Sequence, residues 1–452
     1  MLAQGAPDHP SVVTCTEWIM SYTSSVPEQS DISEARWQNT LTAVVFFCAL
    51  VAIEIRLNVS SHVMNVFVNY TGEGGAFYEK LHSGTLALLL LVPFAVISRP
   101  FVLRGSEIGL FKALLLFSVL MFATIFYLGV MGRAGSAGFI IDTYMAASAA
   151  GLVMLTLPAN LRRTIGDVTI MLCILSAVMG FVEAMTQHHI LPYNRPLGDF
   201  RPIGLTMHPL ALGATCATAI GFAALPQWRL WVRLLAILVL LVGCAVSTAR
   251  TALMLSVVEI VLLLVFTRWP RLSPRTERRA KLVTLVFFAV FGLIFFGALA
   301  ASGFLNRFGG TIFDESFMAR ITIYRVFGFF NWSDLMLGVH VDELMAVVKK
   351  KLNLDYIESA PVVLSMLFGI PIALMFTATL IWIFGRLLRD TPLPARIAVT
   401  VSIIAALSNN TLTSKTPAIA IIFVLLIAYR HTPIAGFPVE SAGRQRDREQ
   451  LS

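Results

Sequence analysis

An all-α, polytopic integral membrane protein is the fold class this sequence predicts, and three observations carry it. Of its residues 57% are hydrophobic and only 13% charged, with a mean hydropathy of +0.78. A water-soluble domain with that balance would expose more apolar surface than water tolerates. Apolar runs of roughly 17 to 25 residues recur along the chain, each matching the hydrocarbon thickness of a bilayer. Between them lie short basic loops, and Lys and Arg collect in alternate ones, as the positive-inside rule requires. The length of 452 residues would allow several soluble domains; the apolar runs override that reading in favour of one membrane domain.

Taken in order, residues 1–39 are polar and contain Pro10, Pro27, Glu28, Asp31 and Glu34. They read as a soluble, cytoplasmic leader containing a short amphipathic turn. About twelve spans follow within 40–429, by length and apolarity. The first six are 41–55, 83–97, 110–131, 138–157, 168–185 and 210–225; the rest are 231–246, 252–266, 282–301, 360–384, 397–407 and 418–428. Residues 430–452 form a basic tail. No charged segment followed at once by an apolar core opens the chain, so the spans are expected to direct insertion themselves.

One set of loops holds Arg99 and Arg104, Arg162 and Arg163, Arg229 and Arg233, and the run Arg268, Arg271, Arg275, Arg278, Arg279 and Lys281. Arg386, Arg389, Arg396 and the tail arginines belong to the same set, which the positive-inside rule makes cytoplasmic together with both termini. The opposite loops, about 186–204 and 301–358, then face the periplasm. This distribution accounts for the net charge of +8 and the pI near 9.4 without nucleic acid. The five cysteines, Cys15, Cys48, Cys173, Cys216 and Cys244, show no CxxC or Cys/His spacing and read as small core residues.

Some arginines fall where topology discourages them. Arg195 and Arg201 lie in the first outward loop, Arg250 in a short turn between spans, and Arg307, Arg320 and Arg325 in the long loop. The stretch RPIGLTMHPLALG from Arg201 places a guanidinium, a glycine and a His-Pro pair at the outer mouth of a span. An arginine fork suits phosphate or carboxylate oxygens, and Gly204 lets a ligand approach the backbone; the competing reading is a snorkelling arginine beside a proline-started helix. His208 reads first as a side chain satisfying backbone and second as a base. In START, residues 247–251, burying Arg250 near hydrocarbon costs on the order of 2.5 to 3.5 kcal/mol, which calls for an anionic partner, a wet cavity or a reach to headgroups.

In the long loop, Asp314 is a candidate N-cap for SFMARITIYRVFGFF, whose pattern is helical and sets Arg320 and Tyr324 one turn apart. An interfacial helix explains its phenylalanines but not Arg320. His340 follows a turn at Gly338, and Lys349, Lys350 and Lys351 read as a solvated or headgroup-binding cluster. Asp355, Tyr356, Glu358 and Ser359 precede the span containing Gly369. A carboxylate at a cavity mouth can serve as a base on a sugar hydroxyl, or can simply sit at a helix N-terminus favoured by the macrodipole.

These pieces, in this order and topology, resemble the O-antigen ligase and polymerase superfamily, the Wzy-type polymerases and ligases among type C glycosyltransferase-like membrane enzymes. The likeness covers RPIGLTMHPLALG, START and ARITIYRVF, from Arg201 to about Gly369. It implies a metal-independent glycosyltransferase, without cofactor, that takes an undecaprenyl-diphosphate-linked oligosaccharide in the bacterial inner membrane. Arg201 and Arg320 would hold the donor diphosphate and its leaving charge, with Arg250, Tyr324, Arg325, His208 and His340 lining the site. The bilayer and a chain-length regulator are the other partners the resemblance allows. Ligases carry a histidine at a fixed spacing before a glycine; counted back from Gly369, that place holds Glu358. The departure favours a polymerase of O-antigen or exopolysaccharide repeat units, with Glu358, or else His340 or His208, as base. Ligation to lipid A core is the alternative within this chemistry. A lipid-linked glycan flippase or transporter is the alternative outside it, supported by Glu54, Asp142 and Glu183 inside spans.

Overall fold

The computed structural model describes residues 29–71, 77–103, 105–133, 135, 137–193, 200–269, 272–301, 315–408 and 410–430. Among them every regular element is helical. In chain order these are α1 (Gln29–Asn58), α2 (Ser61–Phe67), α3 (Ser83–Ile97), α4 (Ser106–Val130), α5 (Ala137–Thr156) and α6 (Ala159–Thr186). The middle of the chain forms α7 (Pro209–Phe222), α8 (Leu230–Val246), α9 (Arg250–Phe266) and α10 (Pro274–Ala301). The long loop contributes α11 (Glu315–Thr322), a 3-10 turn over Ile323–Phe329, α12 (Trp332–Leu337) and α13 (Val341–Val347). The last helices are α14 (Ala360–Phe368), α15 (Ile370–Leu387), α16 (Leu393–Leu407) and α17 (Ala418–Ala428).

A helix therefore stands on every stretch expected to be a span. Five segments, Arg36–Asn58 of α1 together with α4, α5, α6 and α15, are long and apolar enough to cross a membrane; α3, α7, α8, α16 and α17 are shorter apolar helices. Two expectations change. The helix of the first span begins at Gln29, inside the supposed leader. The stretch 360–384 is two helices rather than one, because Gly369 has φ +80 and a Cβ there would lie 2.1 Å from the Met336 carbonyl oxygen. Only glycine meets both conditions, and the helix must break where the α12 turn presses against it.

Burial separates the inner helices from the outer ones. In α5 94% of the apolar window is buried within the protein, against 33% in α1 and α4. The difference puts α5 at the centre, packed on α3, α4 and α17, while α1 and α4 turn large side chains such as Phe47 and Phe122 outward. Small residues allow close approach between neighbours, as where Gly243 of α8 meets Ala177 and Cys216. Without a hydrophobic drive between helices in lipid, such packing is what brings them together.

The bundle has two unlike ends. At one end Arg163 donates to the Leu225 carbonyl at 3.2 Å and Arg233 to the Ala224 carbonyl at 3.1 Å. Both carbonyls lie just past Ala223, the C-cap of α7, in the turn that follows the helix. Arg162 pairs with Glu107 at 2.6 Å and Arg430 with Asp390 at 3.0 Å at this same end, and Tyr429 donates to Asp167. The opposite end carries the long loops and is described below.

Candidate active site

The loop before α7 is tied down by a carboxylate. Glu183, fully buried at the end of α6, accepts backbone N–H bonds from Ile203 at 2.7 Å and Gly204 at 2.9 Å with one oxygen. Its other oxygen accepts from Ile190 at 3.0 Å. Gly204 has φ +55 and runs so close to α6 that a Cβ would meet the Ser176 carbonyl at 2.4 Å. The glycine thus serves close backbone packing, where the sequence suggested room for a ligand. The fixed loop aims Arg201 at the START turn: its Nε donates to Thr248 Oγ1 at 2.8 Å and one terminal nitrogen to the Ser247 carbonyl at 3.2 Å. Thr248 holds φ +56, a strained conformation for a β-branched residue. The two motifs are therefore one structure, in which Arg250 begins α9 half-buried.

The second group comes from the long loop. Arg320, on α11, donates through Nε and a terminal nitrogen to Glu358 Oε2, at 3.0 and 2.9 Å. One turn on, Tyr324 accepts a bond from Ser359 at 3.3 Å. The pair on one helical face thus lands on consecutive residues of the segment leading into α14. The side chains of Arg320 and Glu358 are 33% and 19% exposed. Both bonds end on Oε2, so Oε1 remains open to a proton-bearing ligand. Arg133 anchors this segment to the bundle by donating to the Leu337 and Leu367 carbonyls at 2.6 and 3.1 Å, and Tyr127 adds a bond to Leu337.

The other expected site residues fall into less direct places. His208 caps α7, its Nδ1 accepting from the Leu210 amide at 3.2 Å, which makes it part of a helix start. His340 is exposed at the start of α13, with its ring edge toward Gly132. Arg325 is exposed beside Tyr324. Lys349 lies 3.7 Å from Asp355, both largely exposed, which fits a solvated cluster. Arg195, Arg307 and Asp314 lie outside the described residues. Among those described, no three His, Cys, Asp or Glu side chains converge as a metal site.

Each carboxylate noted inside a span is engaged within the protein. Glu54 accepts from Thr169 at 2.7 Å and from Asn58 at 2.9 Å, and Glu183 holds the loop described above. Asp142, fully buried, accepts from Tyr70 at 2.9 Å and the His82 amide at 3.0 Å, while its carbonyl accepts from Arg56. Arg56 and the residues around Asp142 form a network that sequence reading missed. Lys415, which sits over the Tyr70 ring and donates to the Lys80 carbonyl, belongs to it. A single arginine near the end of an apolar run was the signal available. His82 donates from Nε2 to the Val59 carbonyl and accepts from Gly84 at Nδ1. Burial, and then the Arg56 charge, pushes its pKa down to about 4.

No protein-family model matches the chain, and no curated protein matches it. Fold and composition together define an α-helical membrane protein with lipid around its outer helices.

Proposed function

We propose that the protein is a metal-independent glycosyltransferase of the bacterial inner membrane, a polymerase of O-antigen or exopolysaccharide repeat units. It transfers an undecaprenyl-diphosphate-linked glycan to the end of another lipid-linked repeat unit at the periplasmic face. The observation that carries this reading is the half-open Arg320–Glu358 pair, backed by Tyr324 and Ser359 on a loop bolted to the bundle by Arg133. An ion pair with partly exposed members costs less to exchange than a buried one, toward the roughly 0–1 kcal/mol of surface pairs. An arriving diphosphate takes Arg320 and releases the Glu358 carboxylate as a base.

The chemistry then balances on these groups. An acceptor hydroxyl oxygen attacks the anomeric carbon of the donor sugar, and its proton passes to Glu358. The bond from that carbon to the diphosphate oxygen breaks, and the leaving charge is held by Arg320 with Arg201 and Arg250. In this reading Tyr324 and Arg325, with His208 and His340, contact the bound glycans.

Glu358→Gln keeps the size and the hydrogen-bonding shape of the side chain but removes the base. Polymer formed by purified, reconstituted protein from lipid-diphosphate-linked repeats is expected to fall by roughly 100-fold or more. Wild-type chain lengths from this variant would remove Glu358 from that role.

A further inference from the structure

At the bundle end away from Arg201 and Arg320, the helices α9 and α10 diverge and leave a crevice of about 570 Å³. Its walls are Val261 and Leu264 from α9 and Leu282 and Leu285 from α10. Its mouth carries Arg268, Arg278 and Lys281. Helix α10 is otherwise bare along much of its length, with Val283 67%, Val286 53% and Leu293 77% exposed. Apolar walls that no protein side chain fills must be covered by hydrocarbon in a membrane.

The mouth is more specific than the walls. Glu277 is already spent, accepting from Lys281 at 2.8 Å and from the Trp269 amide at 3.1 Å. Lys281 is thereby neutralised locally. Arg268 also lies within the field of Glu277, so three bases, Arg268, Arg278 and Lys281, stand against one acid and leave the crevice lining with a net charge of +2. A hydrocarbon slot beside this net positive charge matches an amphiphile with an anionic phosphate head. We propose that this crevice binds one anionic phospholipid from the surrounding leaflet, its phosphate between Arg268 and Arg278 and an acyl chain along Leu264 and Leu285. The lipid wedges α10 against α9, and α10 is the helix that leads into the loop bearing Arg320.

Native mass spectrometry of the full chain in neutral detergent tests this, with phosphatidylglycerol and phosphatidylcholine of identical acyl chains added in equal amounts. The wild type should retain phosphatidylglycerol at least tenfold over phosphatidylcholine. Arg268→Gln/Arg278→Gln should bring the two to parity, and Leu285→Trp, which fills the wall, should lower retention of phosphatidylglycerol. The control Arg275→Gln/Arg279→Gln removes the same charge from α10 outside the crevice lining and should keep the preference. Equal retention of both lipids by the wild type, or equal loss in the control, would overturn the proposal. Displacement of phosphatidylglycerol by equimolar polyprenyl phosphate or by millimolar inorganic phosphate would also overturn it, since the site would then belong to a different phosphate source.

Discussion

Two arginine–glutamate pairs, one at each end of the bundle, have the same chemistry and opposite settings. Arg162 and Glu107 join α6 to α4 with side chains only 9% and 11% exposed, whereas Arg320 and Glu358 are 33% and 19% exposed on a loop. A buried pair cannot lose one member without stranding the other charge in a medium that solvates it poorly. An open pair can exchange its partner for a ligand at little cost. The first setting locks helices and the second leaves charge available for chemistry. The arginines of the first end, including Arg163 and Arg233 on the carbonyls that follow α7, hold structure together.

The sharpest way to break this contrast is to truncate both arginines and compare stability in detergent. Arg162→Ala is expected to lower unfolding free energy by about 3–5 kcal/mol, as for loss of one partner from a buried pair. Arg320→Ala is expected to cost about 1 kcal/mol or less. Equal losses would mean that the two pairs do the same work.

A second effect belongs to the network around Asp142 and is read by pH. His82 is held at about 4 in the folded protein, below its ordinary value of about 6.5. Between these values the unfolded chain takes up a proton that the folded chain refuses. Stability is therefore complete above pH 6.5, falls as pH drops through the window, and has lost this contribution below pH 4. The loss amounts to about 3 kcal/mol at most. Arg56, Asp142 and Lys415 surround the ring and shape the same curve. His82→Asn should flatten the slope between pH 6.5 and 4; an unchanged slope would place the titration elsewhere.

The smallest effect concerns Glu259, fully buried on α9. Its carboxyl lies against Gly221, and neither of its oxygens makes a well-formed hydrogen bond. Replacing it with methionine should raise thermal stability by about 1–2 kcal/mol, since an unsatisfied polar group is removed. A fall would show that the carboxyl has a partner the fold depends on.

The helices were legible because apolarity along a run is a local property, and five of the runs reach bilayer length by themselves. The joining of RPIGLTMHPLALG to START was only half legible. Both motifs were visible, but the contact of Arg201 with Thr248 depends on Glu183, which in sequence is an acid inside a span. The break at Gly369 was hidden for a similar reason: its cause is the Met336 carbonyl, supplied by a distant turn. Arg56 was hidden because nothing near it in sequence announces Asp142, its carbonyl partner on another helix. Tertiary partners, not propensity, decide such positions.

The account rests most on the open pair being chemical and not structural. Purified wild-type and Arg320→Ala proteins, matched for thermal stability and reconstituted with lipid-diphosphate-linked repeat units, should therefore differ in one readout, the length of polymer on a gel. The account predicts a long ladder from the wild type and single repeats from the variant. A full-length ladder from Arg320→Ala would contradict it.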